Sequence, residues 1–175
     1  PVIYYGDEIG MGDNIWIDDR GGVRTPMQWN AGRGAGFSGA DPSKFYFPLI
    51  DDDTFGYQQV NVAQQRADPD SLLNHMRTMM AVRKANPAFA RGDFKMLEPE
   101  NRAVLAFLRT WDGVNLLAIN NLSTEPQMVA LDLAAFAGST PVDLFTGERL
   151  PAVTAEPWSL ALGPSGYRWL SIAAA

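Results

Sequence analysis

The chain has 175 residues, 46% of them hydrophobic and 19% charged, with no cysteine and a formal net charge of −6. That apolar content supports one domain with a real core, or a small domain plus an appendage, and argues against wholesale disorder. An acidic chain repels phosphate backbones, and no run of Lys and Arg offers a patch to an anionic surface, so neither nucleic acid nor a membrane is an expected partner. The absence of cysteine excludes disulfides and thiolate metal sites and fits a cytoplasmic location.

The first residues, Pro1 to Tyr5, lack a basic n-region and do not form a signal peptide. Val2 to Tyr5 is a β-branched and aromatic run ending at Gly6, and it reads as a strand buried on both faces and cut off from its partners. From Gly6 to about Ala67 the chain is irregular, rich in Gly, Pro and Asp, with aromatics at Trp16, Trp29, Phe37, Phe45, Tyr46, Phe47, Phe55 and Tyr57. A loop region this long is expected to be functional, because linkers seldom carry so many aromatic side chains.

A helix is predicted next, with Asp68 as N-cap, Pro69 in the first position, Leu72, Met76, Met79 and Met80 along one side, and Asn86-Pro87 as the stop. Beyond Gly92 the periodicity changes to 2. Strands are predicted at 104–108, 116–119, 128–131 and 167–172, with a hairpin turn at Asp112-Gly113 and further turns at Gly138-Ser139, Thr146-Gly147 and Gly163-Pro164. Ala173 to Ala175 reads as a frayed end, and no internal repeat is visible. The predicted fold class is mainly β with one helix. It comprises the end of a (β/α)8 barrel in residues 1–90 (last strand, active-site loop region, last helix) and an antiparallel β-sandwich in 91–175.

Several segments support a specific resemblance. Pro1 to Met11 resembles the last barrel strand and following turn of α-amylase-family glycoside hydrolases. Asp19 to Trp29, with Arg24-Thr25-Pro26-Met27-Gln28-Trp29 at its core, is similar to a segment of oligo-1,6-glucosidases, α-glucosidases and trehalose synthases. Gly10 to Trp16, Tyr57-Gln58 before Val60-Asn61-Val62, and Leu97 to Arg102 tilt the resemblance towards the trehalose synthases.

The resemblance implies the C-terminal part of an enzyme that isomerises maltose to trehalose by intramolecular, retaining glucosyl transfer. The family's nucleophile, acid/base and third carboxylate lie upstream of the opening strand, so no catalytic residue is assigned and this chain alone is expected to be inactive. Two alternatives stand beside it: part of a hydrolase of the α-glucosidase or amylase type, and a non-enzymatic carbohydrate-binding β-sandwich.

Arg20 aligns with the family's arginine that holds the glucosyl ring, and it is the one substrate-binding residue expected here. A departure sits next to it: Gly21 follows Arg20 where relatives often carry an acidic residue. The implied partners are maltose and trehalose in the complete enzyme, together with the remainder of the barrel. No cofactor is implied, with calcium left open for the parent enzyme.

The other polar residues have plainer readings. Arg20 in isolation reads as a surface ion pair with Asp18 or Asp19, and Arg24 as a structural residue of the loop. Asp7 and Glu8 point to opposite faces of an extended segment and read as loop anchors. Asp51-Asp52-Asp53, like the Asp13, Asn14, Asp18 and Asp19 group, reads first as solvated loop and only second as calcium ligands. His75, the only histidine, reads as structural or solvent-facing. Trp111 and Trp158 are expected to pack rather than to present sugar platforms.

Overall fold

The computed structural model describes residues 2–18 and 20–173. It divides into two compact units, residues 1–80 and 81–175, with the boundary inside a helix.

In the first unit, 3-10 turns at Asp7–Ile9, Gly22–Arg24, Arg33–Gly36 and Pro42–Lys44 precede the short helix α1, Val62–Ala67. Its small core is Ile9, Met27 and Val62, with Met11, Val60 and Leu73 packed against them. So few apolar side chains cannot order sixty residues of loop, and buried or half-buried side-chain amides supply the rest. Gln28 Nε2 donates to the carbonyls of Phe55 and Val60. Asn61 caps α1 by accepting from Gln64 N at 2.9 Å and donates to Tyr57 O at 3.0 Å. Gln65 Nε2 donates to Ile9 O at 2.7 Å, and its Oε1 accepts from Leu73 N at 3.0 Å. Each bond satisfies a backbone group that an irregular segment would otherwise leave orphaned.

Two expectations are corrected here. Val2 to Tyr5 forms no strand among the described residues; its side chains are exposed and the run ends in a turn, Tyr4 O accepting from Asp7 N. A parallel strand requires a ladder on its flank, and the described residues offer it none. The helix predicted from Asp68 begins instead at Leu72, as α2, Leu72–Ala85. Asp68 is used twice over: its N–H closes α1 on Gln64 O, and its Oδ1 accepts from Asp70 N in a local turn. Ser71 Oγ then takes the capping role, accepting from Asn74 N at 3.3 Å. None of the apolar residues of α2 is buried.

In the second unit the end of α2 is followed by α3, Ala88–Arg91. Seven strands follow: β1 Asp93–Leu97, β2 Val104–Trp111, β3 Val114–Asn121, β4 Gln127–Leu131, β5 Val142–Asp143, β6 Trp158–Leu162 and β7 Tyr167–Ile172. They form a five-stranded sheet, β1-β2-β3-β7-β5, and a two-stranded sheet, β4-β6, with every pairing antiparallel. The β2–β3 hairpin turns at Asp112 and Gly113, with φ of 50° and 76°. Two consecutive positive φ values match the right-handed strand twist and explain why this dipeptide sits there.

The inner faces bury one core. Ala106, Leu108, Leu117, Ile119 and Leu170 of the larger sheet meet Val129, Leu131, Trp158 and Leu162 of the smaller. Trp158 is therefore a core residue, its indole donating to Pro151 O, whereas Trp111 is partly exposed. On the outer face, Leu116 and Trp169 pack with Ala88 and Phe89 of α3. Strand periodicity exposes β2, β3, β4 and β7 in the sequence. β1 is missed because, as an edge strand, it is exposed along nearly its whole length and shows no alternation.

One buried carboxylate pins the end of this sandwich. Asp143 is 3% exposed and accepts from the amides of Phe145 and Thr146 and from Arg168 Nη1 at 3.1 Å. Burial pushes its pKa up, but the two amide donors and the guanidinium outweigh that, and the carboxyl titrates below the ordinary value of 3.8. A depressed folded-state pKa gives stability that is fully present above the unfolded value and lost as pH falls through the folded one. The urea midpoint of unit 81–175 is expected to fall between about pH 5 and about pH 2, and to fall less in Asp143→Asn. An equal acid slope in the two proteins would show that Asp143 is not the group responsible.

Candidate functional site

Arg20 lies exposed on a tight loop. Asn14 N donates to Gly22 O, Gly21 N to Asp18 O and Arg24 N to Gly21 O. The loop closes because residues 21 and 22 have no side chain: a Cβ on Gly21 would lie 2.4 Å from Ile17 Cγ2, and one on Gly22 would lie 2.0 Å from Asp13 Oδ1. The glycine after Arg20, a departure at the level of sequence, is thus a packing requirement of this loop. Asp19 lies outside the described residues, and Arg20 makes no ion pair with any described carboxylate.

The motif that follows turns inward. Thr25, Pro26, Met27 and Gln28 are buried, and Thr25 and Gln28 have no exposed surface. Thr25 Oγ1 and Gln28 Oε1 find no partner among the described residues. Within the most family-specific motif, Thr25 to Gln28 are therefore interior residues, whereas Arg24 and Trp29 are exposed.

Asp7 and Glu8 do not form an acid/base pair. Asp7 Oδ2 accepts from Tyr4 N at 2.9 Å and Glu8 Oε2 from Gly6 N at 2.8 Å, so both anchor the loop. His75 is exposed on α2. Asp13, Asp51 and Asp52 border one cavity of about 510 Å³ with Trp16 and Phe55, but Asp52 is committed to capping the amides of Thr54 and Phe55. No group of three His, Asp or Glu side chains among the described residues converges on one metal position.

The structure also gathers side chains that no spacing in the sequence connects. Trp29, Phe37, Phe45, Tyr46 and Phe47 join Tyr5, Glu8 and Arg24 around a cavity of about 460 Å³. Tyr5 donates its hydroxyl to Thr25 O at 2.8 Å. Burial raises its pKa, neighbouring Tyr4 adds to the rise, and Arg24 pulls it back. The rings come from 3-10 turns and irregular backbone, which have no period to read. Their aromatic content was the only available signal.

Residues 1–92 match the family model of the α-amylase catalytic domain, and residues 94–169 match that of the maltogenic amylase C-terminal domain. The chain belongs to the α-amylase family. It is 49% identical over 175 residues to the trehalose synthase/amylase TreS of Mycobacterium tuberculosis, covering 98% of this chain and 29% of that protein. It is 47% identical to the trehalose synthase of a Pimelobacter species, covering 98% of this chain and 31% of the relative. The chain therefore spans less than a third of the length of these curated relatives.

Among solved structures, the trehalulose synthase MutB of Pseudomonas mesoacidophila superposes with a TM-score of 0.76 at 24% identity, over 98% of this chain and 35% of that one, a likeness of fold. The trehalose-6-phosphate hydrolase of Bacillus licheniformis gives 0.68 at 25% identity, over 89% of this chain and 26% of that one. Together these matches make the chain a trehalose-synthase-type segment of the α-amylase family. No helix among the described residues is long and apolar enough to cross a membrane.

Proposed function

We propose that this chain is the C-terminal part of an enzyme that isomerises maltose to trehalose, and that Arg20 holds the transferred glucosyl unit. The observation that carries this reading is the 49% identity to a trehalose synthase along nearly the whole chain. Retaining transfer requires a carboxylate nucleophile and a carboxylic acid/base about 5 Å apart. In this reading both, with the third family carboxylate, come from barrel residues outside these 175. The nucleophile keeps the glucosyl unit bound while the freed glucose turns, and the acid/base protonates the leaving oxygen and later deprotonates the returning hydroxyl.

Arg20 suits the assigned task because a guanidinium fork donates to vicinal hydroxyls in fixed geometry, and its loop is pinned at Gly21 and Gly22 by close packing. We place the boundary between barrel and sandwich regions at residues 90 and 91. The chain is expected to be inactive alone, to act in the cytoplasm and to need no cofactor. The test is a chimera in which this chain replaces the matching segment of the Pimelobacter relative, supplied with maltose and scored for trehalose and glucose.

The hydrolase reading remains the second one, because the name of the Mycobacterium tuberculosis relative joins amylase to trehalose synthase. The two readings differ in how well the assembled pocket excludes water from the glucosyl-enzyme intermediate.

A further inference from the structure

We propose that a cleft on the second unit, between the loop after β1 and the outer side of β4, binds an extended basic segment of a partner protein, which adds to the free edge of β4. The proposal goes beyond the isomerase reading and does not rest on it. The cleft has a volume of about 660 Å³, and all of its walls belong to the second unit. Helix α3, by which the chain reaches β1, packs on the outer face of the five-stranded sheet, whereas the cleft opens on the two-stranded one.

A strand edge is free there. Asn101 Nδ2 donates to Met128 O at 2.9 Å, so that carbonyl points away from β6. Backbone groups alternate between the two edges of a strand, so Ala130 turns its N–H and C=O the same way as Met128. No other strand pairs with β4, and Ala130 N and O find no partner on that edge among the described residues. Such an edge takes an added strand through main-chain hydrogen bonds. The facing wall is fixed before a partner arrives: Asn101 also donates to Gln127 Oε1 at 2.9 Å and accepts from Ala103 N at 3.0 Å. This wall lies within Leu97 to Arg102, a segment of the trehalose-synthase resemblance to which the proposed chemistry gives no task.

Charge selects the occupant. Glu98, Glu100 and Asp132 line the cleft, and no Lys or Arg does. Glu98 and Glu100 are exposed and make no ion pair among the described residues, and Asp132 uses one oxygen to accept from Ala134 N at 3.1 Å. Lys or Arg at alternate positions of an added strand brings its cations to one face, within reach of these carboxylates. Met128, 61% exposed, offers apolar surface to their stems together with Pro99 and Pro157. Other occupants fit less well. The three carboxylates do not converge on one metal position. No aromatic ring lines the cleft for the face of a sugar. A second copy brings its net charge of −6 to an acidic surface, and a nucleic acid brings phosphates.

The test adds the peptide acetyl-Lys-Val-Lys-Val-Lys-Val-Lys-amide to the 175-residue chain, followed by NMR of the backbone amides. Saturable shifts and slowed hydrogen exchange are expected at Met128 and Ala130. The same peptide N-methylated at every residue keeps its charges but lacks edge donors, and should bind at least about tenfold more weakly. Glu98→Gln combined with Glu100→Gln should weaken binding by about fivefold to tenfold, with the thermal midpoint unchanged because both side chains are exposed and unpaired. No slowed exchange at Ala130, equal binding of the N-methylated peptide, or indifference to the double substitution would overturn the proposal. So would protection at Ala130 that grows with protein concentration alone, which makes the occupant a second copy. In the chimera the peptide should bind with the same affinity; a cleft closed to it there is covered by the rest of the enzyme, and the proposal fails. Trehalose formation by the chimera is read separately, and neither result decides the other.

Discussion

Leu117→Ala is expected to destabilise the second unit by about 3 to 5 kcal/mol. Leu117 is fully buried on β3, the central strand of the five-stranded sheet, and it pairs across to Leu108 on one side and Leu170 on the other, both also buried. Truncation removes side-chain contacts with both sheets and leaves a void that neighbours hydrogen-bonded on two flanks cannot close. A domain is stabilised by only about 5 to 15 kcal/mol, so the variant would lie close to unfolding at ambient temperature. Leu122, just past the end of the same strand, is 68% exposed. Its replacement by alanine is expected to cost less than about 0.5 kcal/mol. Urea unfolding followed by tryptophan fluorescence separates the two, and near-equal costs would mean that the sandwich core is not where the strands place it.

Arg20→Ala in the chimera with the Pimelobacter segment is expected to lower kcat/KM for maltose by about two orders of magnitude. Loss of charged hydrogen bonds is worth about 1.5 to 3 kcal/mol, and the side chain is exposed, so folding is not the cause of the loss. Arg20→Lys should recover only part of the activity, since an ammonium lacks the planar fork. A change of less than about twofold in the alanine variant would leave Arg20 as a surface residue of its loop.

The legible parts of this protein are those with a period or a turn chemistry. Asp112-Gly113 and the strands either side of it follow from two φ-tolerant residues between alternating runs, and β7 was readable to the residue. Edge strand β1 was not, because it is exposed along nearly its whole length. The start of α2 was misread for a related reason: Asp68 and Pro69 carry good capping chemistry, but the preceding helix already uses the Asp68 amide, and Ser71 does the capping.

At the site, the motif from Arg24 to Trp29 was conspicuous, yet Thr25 to Gln28 are interior residues and Gln28 is a strut between two carbonyls. Family likeness pointed to Arg20; its bare residue type did not. The aromatic cavity was legible only as aromatic content in a long loop region, because its rings come from separate positions that no local period connects.

The most direct measurement is the product ratio of the chimera on maltose, with this chain alone as the control. The account predicts trehalose as the main product of the chimera and no turnover by the chain alone. A folded chimera that released only glucose, or trehalose formed by the 175 residues unaided, would contradict it.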